Sequence, residues 1–349
     1  MMGWSSDTNS FRLGVGSFMK TYANRVDLVE RDPETQELVC RGTSEHSYPA
    51  TKLQFTPSVS AGANDMFVTT GDYLRLWQVE PKAPTAAADV EEAKEDSDEK
   101  PKESKETVDP AKAGTINSSL TFRTFNNNKS SEFCSPLTSC DWNSDDPKMV
   151  GACSIDTTVS IWDLEKEVHT TQLIAHDKEV FDIAFAQGTS VFSTCGADGS
   201  LRVFDTRELE HCTIVFEAPD LKPLLRCSWN KLEGTYISTF AVDGTVIYVV
   251  DVRYPSIPVA RLSSHTSPIN SMMWAPHSAS NICSAGEDKT ALIWDLGDLS
   301  TQAQPQVVLN YTGAPAEINT VGWSSHQRGS TQEDWIAITC GKELRVLKV

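Results

Sequence analysis

The sequence predicts an all-β fold, one ring of seven propeller blades, and three observations carry that prediction. Apolar strands that end in tryptophan and run into a polar turn recur at Trp4, Trp142, Trp229, Trp274 and Trp323, with Phe55 and Phe185 at the same place in two further copies. From Trp142 onward these positions follow one another at steps of about 43 to 49 residues, close to the length of one four-stranded blade. Several third strands end in an aromatic or valine followed by aspartate: Ile161-Trp162-Asp163, Val203-Phe204-Asp205, Val249-Val250-Asp251 and Ile293-Trp294-Asp295, with Arg75-Leu76-Trp77 as a weaker copy. Tight-turn residues such as Asp198-Gly199 and Asp243-Gly244 precede them.

Period-two strands bounded by turn residues divide the chain into seven groups. The first covers Met1 to Gly42, with strands near Phe11 to Phe18 and Arg25 to Glu30. The second opens at Thr51 to Phe55 and closes with Leu120 to Phe125. The third runs from Leu137 to Ile174, the fourth from Val180 to Glu217, the fifth from Leu224 to Leu262 and the sixth from Ile269 to Tyr311. The last holds Ile318 to Trp323, Trp335 to Thr339 and Glu343 to Val349, one strand short. An unpaired edge there invites a partner strand, so the expectation is a native protein that begins further upstream. Pro81 to Gly114 stands outside the repeat. Its ten acids and six lysines come with almost no large apolar residues, and such a stretch cannot bury enough surface to offset its ordering entropy. It reads as a disordered acidic insertion between the third and fourth strands of the second blade, with room for a short helix within Val90 to Lys105. The whole of 1–349 is thus read as one propeller carrying that insertion.

Composition narrows the function. The 349 residues are 39% hydrophobic and 22% charged, as in globular domains generally. No run approaches the roughly 18 apolar residues of a membrane span, and the first residues lack a secretory pattern. Nine scattered cysteines with no Cys-x-x-Cys, among them Cys153, Cys195, Cys227, Cys283 and Cys340 in apolar runs, read as buried reduced thiols and not as a metal site. The net charge of -18 repels a phosphate backbone and suits partners with basic segments, which argues against direct nucleic-acid binding. Leu13-Gly14-Val15-Gly16-Ser17 looks like part of a phosphate loop but lacks its remainder, so it reads as a close-packed strand.

The aspartate-ended third strands resemble the WD-repeat family. That resemblance implies a structural tetrad in each complete blade: a His before the first strand, a Ser or Thr on the second, an Asp in the hairpin and a Trp on the third. The sixth blade matches at His265, Ser284, Asp288 and Trp294, and the fourth at His176, Thr194 and Asp198 with Phe204 replacing Trp. The third keeps Asp156 and Trp162 but has Ala152; the fifth keeps Thr239 and Asp243 but has Val249. A His near an Asp and a hydroxyl is also the pattern of a hydrolase, but its recurrence on more than one blade fits a stapling role better.

Longer stretches sharpen the resemblance: His46-Ser47-Tyr48-Pro49, Gly71-Asp72-Tyr73-Leu74-Arg75-Leu76-Trp77, Ser154-Ile155-Asp156-Thr157-Thr158, Thr171 to Val180, and Trp274-Ala275-Pro276-His277-Ser278. Together they are similar to the subfamily of the plant transparent-testa-glabra and light-regulated WD proteins and the animal cullin-associated adaptor related to an anthocyanin regulator. The resemblance covers nearly everything outside Pro81 to Gly114 and departs from it again near His326 to Glu333. It implies a non-enzymatic scaffold, cytoplasmic and nuclear, acting as a monomer without cofactor. The implied partners are protein kinases, Myb or basic helix-loop-helix transcription factors, or the adaptor of a cullin-ring ubiquitin ligase. For the last, Asp205-Thr206-Arg207 and Asp251-Val252-Arg253 are similar to the Trp-Asp-x-Arg box of ligase receptors, with Phe and Val replacing the aromatic. An arginine fork suits docking because it pairs with carboxylates and carbonyls while its stem packs. Asp177, Lys178 and Glu179, at a turn beside His176, are expected on a partner-binding face.

Overall fold

A computed structural model describes residues 1–7, 10–57, 65–81, 118–126, 135–299, 304–324 and 334–349. Among them lie six four-stranded antiparallel sheets and one three-stranded sheet. Blade one holds β1 (Met2–Trp4), β2 (Arg12–Gly16), β3 (Asn24–Arg31) and β4 (Leu38–His46). Blade two holds β5 (Lys52–Phe55), β6 (Met66–Thr70), β7 (Leu74–Pro81) and β8 (Ser118–Phe125). Blade three holds β9 (Leu137–Trp142), β10 (Met149–Ser154), β11 (Thr158–Asp163) and β12 (Val168–Ile174). Blade four holds β13 (Val180–Phe185), β14 (Val191–Gly196), β15 (Ser200–Asp205) and β16 (Glu208–Glu217). Blade five holds β17 (Leu224–Trp229), β18 (Tyr236–Ala241), β19 (Ile247–Asp251) and β20 (Pro258–Leu262). Blade six holds β21 (Ile269–Trp274), β22 (Asn281–Gly286), β23 (Ala291–Asp295) and β24 (Gln306–Tyr311). Blade seven has β25 (Ile318–Trp323), β26 (Trp335–Cys340) and β27 (Glu343–Lys348), and no fourth strand among the described residues.

Groups three to six of the sequence reading coincide with their blades. The first blade runs four residues past the Gly42 expected to close it, because β4 pairs with β3 as far as Asn24↔His46. The acidic stretch does leave between third and fourth strands, where Pro81 and Ser118 are register partners, but its disorder and the short helix lie outside the described residues. So does the insertion near His326 to Glu333.

Burial explains why each strand looks as it does. A second strand is covered on both sides by neighbouring blades, so β10 and β18 are buried almost throughout and read as continuous small or apolar runs. An outer strand has one wet face, and β12 alternates. The punctuating aromatic of each first strand plugs the face of the blade before it. Trp229 packs with Leu201 and Phe216, Trp274 with Phe240 and Leu262, and Trp323 with Cys283 and Ile293. Trp142 meets Val68 and Leu74, Phe185 meets Val159 and Ile161, and Phe55 meets Val26 and Leu28. Gly14 is a close-packed strand residue, as expected: a Cβ there would lie 2.9 Å from the Leu53 side chain of the next blade.

The first strands line a central channel, and each would show the channel an unpaired edge. Side chains of one blade satisfy the backbone of the next. Gln54 Oε1 accepts from the Trp142 amide at 3.3 Å, Asp141 from the Phe185 amide at 2.7 Å and Asp182 from the Cys227 amide at 3.1 Å. Ser271 Oγ accepts from the Val321 amide at 3.2 Å. Asp182 is buried; it also accepts from Ser139 Oγ at 2.5 Å and has Arg226 and Lys52 within 3.8 and 3.9 Å. Blade seven closes on blade one through Trp4 Nε1, which donates to Gly322 O at 2.9 Å, and through Phe11 edge-on to Trp335 at 5.5 Å. An apolar groove of about 450 Å³, lined by Ile293, Leu309, Val321, Ile336 and Leu347 among others, runs between blades six and seven.

Asp182 joins its own blade to blades two, three and five, so its loss should be felt by the whole ring. Asp182→Ala strands the Cys227 amide and the Ser139 hydroxyl and leaves two cations without their nearest carboxylate. It should lower the free energy of unfolding in urea by about 3 kcal/mol; an unchanged midpoint would contradict the stitched channel.

Candidate functional site

Antiparallel connectivity sorts the loops onto two faces. Turns between second and third strands, and the links from a fourth strand to the next blade, lie on one face; the remaining turns lie on the opposite face. The first is called the tetrad face here, because its loops carry the histidines and aspartates.

In blade six the four expected residues form one chain of hydrogen bonds. Trp294 Nε1 donates to Ser284 Oγ at 2.8 Å, Ser284 Oγ meets His265 Nε2 at 2.7 Å and His265 Nδ1 meets Asp288 Oδ2 at 2.8 Å. The tautomer follows from the partners: a carboxylate only accepts, so Nδ1 carries the proton and Nε2 accepts from the serine hydroxyl. Asp288 also caps the loop ends through the Thr266 and Thr290 amides, both at 3.1 Å. In blade four His176 Nδ1 lies 2.9 Å from Asp198 Oδ2 and Nε2 lies 2.8 Å from Thr194 Oγ1. Phe204 has no N–H to extend that chain and stacks on Phe192 instead, at 5.3 Å. Arg202 joins from the side, with Nη2 at 2.9 Å from Asp198 and 2.8 Å from Asp177.

These networks are interior struts. Ser284 and Thr194 are fully buried, and His176 and His265 nearly so. Ser284 Oγ is held by Trp294 and His265, and Thr194 Oγ1 by His176, so both buried hydroxyls serve their blade's own network. The carboxylates carry the electrostatic signature. Burial pushes the Asp198 carboxyl up, yet hydrogen bonds and charge from His176, with the Ser200 amide and hydroxyl, outweigh it and hold it well below its ordinary 3.8. Asp288 is lowered the same way: burial opposes, while Thr290 and His265 prevail.

The other blades depart from the pattern where the sequence does. In blade three Trp162 Nε1 donates at 3.1 Å to Ser160, a hydroxyl on the same strand, and Asp156 caps its turn through the Thr158 amide. In blade five Thr239 donates to Arg226 O at 2.8 Å. A further staple in blade two escaped the sequence reading. Trp77 Nε1 donates to Thr69 Oγ1 at 2.8 Å, Thr69 lies 3.2 Å from His46 Nε2, and His46 Nδ1 donates to Tyr48 O. Asp72, in the hairpin, turns to Arg75 instead, at 2.5 and 2.8 Å. The signal was His46, Thr69 and Trp77 at tetrad spacing, hidden because Arg75-Leu76-Trp77 has no following aspartate. Also missed is a Trp-Asn clamp. Asn143 and Asn230 each accept two amides of their own turn and donate across to the next blade, to Gly188 O at 3.0 Å and Ala279 O at 2.8 Å.

The expected partner-binding residues fall on opposite faces. Asp177, Lys178 and Glu179 form the link from β12 to β13 on the tetrad face, all exposed. Asp205 and Arg207, and Asp251 and Arg253, sit in the turns after third strands on the opposite face of adjacent blades. Arg207 grips Asp205 with Nε at 2.9 Å and Nη2 at 2.5 Å; Arg253 grips Asp251 at 2.9 and 2.7 Å. Each aspartate also caps its arginine's amide at 2.9 Å. That arginine grip, with the amide, brings Asp205 down to about 2. The forks remain open to solvent, 74% and 55% exposed, so two arginines stand at repeat spacing in locked rotamers. Among the described residues no group of three or more acidic, histidine or cysteine side chains could hold a metal, and all eight described cysteines are unpaired, six of them buried.

Known proteins fit this geometry. The family described as "WD domain, G-beta repeat" matches at residues 123–163, 166–205 and 256–295. The first match begins in the outer strand of blade two and the third in the turn just before the outer strand of blade five; each ends with the third strand of the next blade, so one sequence repeat ties two blades. The chain is 43% identical over 351 residues to the DDB1- and CUL4-associated factor 7 homologue of Dictyostelium discoideum, across all of this chain and 95% of that protein. It is 29% identical to a WD repeat-containing protein of Schizosaccharomyces pombe, over 88% of this chain and 77% of the relative. A WD repeat-containing protein of Saccharomyces cerevisiae is 31% identical over 84% of this chain and 56% of its own length.

The depressed tetrad carboxyls of Asp198 and Asp288 fix a pH dependence. Their folded values lie below the unfolded one, so the unfolded chain takes up more protons as the pH falls. Their contribution is complete above pH about 4 and is lost below it. In acid titrations followed by circular dichroism, Asp198→Asn with Asp288→Asn should be less stable at neutral pH and lose stability less steeply between pH about 4 and 2. Parallel curves for variant and parent would contradict the assignment.

Proposed function

This chain belongs to the WD40-repeat family, in the group of the DDB1- and CUL4-associated factor 7 homologue, and we propose that it works as a non-enzymatic scaffold that assembles regulatory complexes. The observation that carries the proposal is the full-length match to a relative whose name describes association with other proteins, on a ring whose histidine, hydroxyl and aspartate residues are spent on stapling blades. A rigid ring holds two partners near one another and raises the effective concentration of each for the other. Partners of the kind the sequence resemblance implies, a protein kinase or a Myb or basic helix-loop-helix transcription factor, would meet on such a ring in the cytoplasm and the nucleus. The net charge of -18 favours basic protein segments over nucleic acid. Affinity purification from the native cell tests this reading, which requires stable partner proteins; their absence would end it.

A second reading, substrate receptor of a cullin-ring ligase, has its own support in the two exposed arginine forks and in the relative's name. Each fork is pre-organised by its aspartate, which reduces the entropy lost on docking. Arg207→Ala with Arg253→Ala should weaken capture of the DDB1 adaptor by at least about tenfold, since arginine anchors buried on docking commonly cost about 2 kcal/mol or more. Undiminished capture by the doubly substituted protein would remove the ligase reading.

A further inference from the structure

Large aliphatic side chains gather in water on the tetrad face of blades three and four. Ile174, the last residue of β12, is 77% exposed, and Ile155, in the turn of the same blade, is 45% exposed. The two stand at adjoining strand ends, because Ile174 pairs with Thr158 just past that turn. Leu221 is 58% exposed and is carried over the Asp198-Gly199 turn of the next blade. The Ala218 amide donates to Gly199 O at 2.8 Å, and a Cβ on Gly199 would lie 2.6 Å from the Leu221 backbone. Asp220 and Leu221 have φ of 57° and 50°, a region that residues other than glycine seldom adopt. Backbone strain thus holds a leucine out where it gains nothing from the fold.

The exposed charge around these anchors is net negative. Exposed Asp177 and Glu179 follow Ile174 in the link to blade four, and exposed Asp156 and Asp220 adjoin Ile155 and Leu221 in the chain. Lys178 and Lys222 are the exposed cations of the same loops. Arg202, bound to Asp177 and Asp198 together, fixes the Asp177 carboxylate in place. An occupant must therefore bring aliphatic anchors and positive charge. A second copy of this chain would bring the same negative surface and is disfavoured.

We propose that the tetrad face over blades three and four, anchored by Ile174 and Leu221 and charged by Asp177 and Glu179, docks a short segment of a partner protein in which Leu, Ile or Val is flanked by Arg or Lys. This gives the scaffold reading a partner chemistry and rests on that reading. Aliphatic contacts supply the attraction, and the acids select the sign of the partner and speed its arrival.

A fluorescently labelled synthetic peptide repeating Leu-Arg-Ile-Lys tests it by anisotropy on the whole chain. Two control peptides carry Glu in place of the basic residues or Ser in place of the aliphatic ones. The basic-aliphatic peptide should bind at least about tenfold more tightly than either control, and added salt should weaken it. Ile174→Ser with Leu221→Ser, and separately Glu179→Lys, should each weaken it severalfold at unchanged thermal midpoint. The Glu179 side chain hydrogen-bonds no tetrad residue, so Glu179→Lys keeps the test standing if the Ile174→Ser, Leu221→Ser variant does not fold. Equal binding of all three peptides, or binding of the variants as tight as the parent's, overturns the proposal. Purification from the native cell separates this inference from the broader one. Identical partners on parent and Glu179→Lys proteins overturn the docking face and leave the scaffold, whereas no partner on either strikes the scaffold itself.

Discussion

Everything in this molecule depends on one constraint: no blade can bury its own faces. A four-stranded sheet has two apolar sides and a single layer, so each side must be covered by another sheet. The ring satisfies all seven at once by making every blade the lid of the one before. The aromatic that closes each first strand does the covering, which explains its recurrence and its tolerance of Phe for Trp at Phe55 and Phe185. What that position requires is a large flat apolar body aimed at the preceding blade.

Stacking alone would leave the channel-side edges unpaired. Polar residues on the first strands answer that need, and they do so across blades: Gln54, Asp141, Asp182 and Ser271 each reach the next blade's backbone amide. Asn143 and Asn230 repeat the solution at the turns. Interior polarity among the described residues is spent on joining repeats and stapling blades. The two faces then carry different chemistry on one rigid frame. One offers locked arginine forks; the other offers aliphatic anchors among acids.

The fold was legible because period and punctuation are local properties. Blades three to six fell within their sequence boundaries because a strand end marked by Trp or Phe and a turn marked by Asp-Gly need no tertiary knowledge. The tetrad of blade six was legible for the same reason, since all four residue types are present. Blade two's staple was not, because its hairpin aspartate pairs with Arg75 and the third strand lacks the closing aspartate, so the pattern looked degraded while His46, Thr69 and Trp77 still bonded. Channel stitches and asparagine clamps were invisible: they join residues about a blade apart, and nothing in one strand shows which amide of its neighbour will lie opposite. The first blade ran past Gly42 because β4 shares no punctuating residue with the other outer strands.

Closure makes a sharp physical claim. In an open stack each repeat holds only its neighbours and terminal repeats fray; in a closed ring blade one and blade seven are as well covered as the rest. Native-state hydrogen exchange of the second-strand amides measures this directly. The account predicts that Leu13 to Val15 in blade one and Ile336 to Ile338 in blade seven exchange only with global unfolding, at the same free energy as Ile237 to Phe240 in blade five. Exchange of the terminal blades at a free energy several kcal/mol below that of blade five, by the usual spread of local openings, would contradict it.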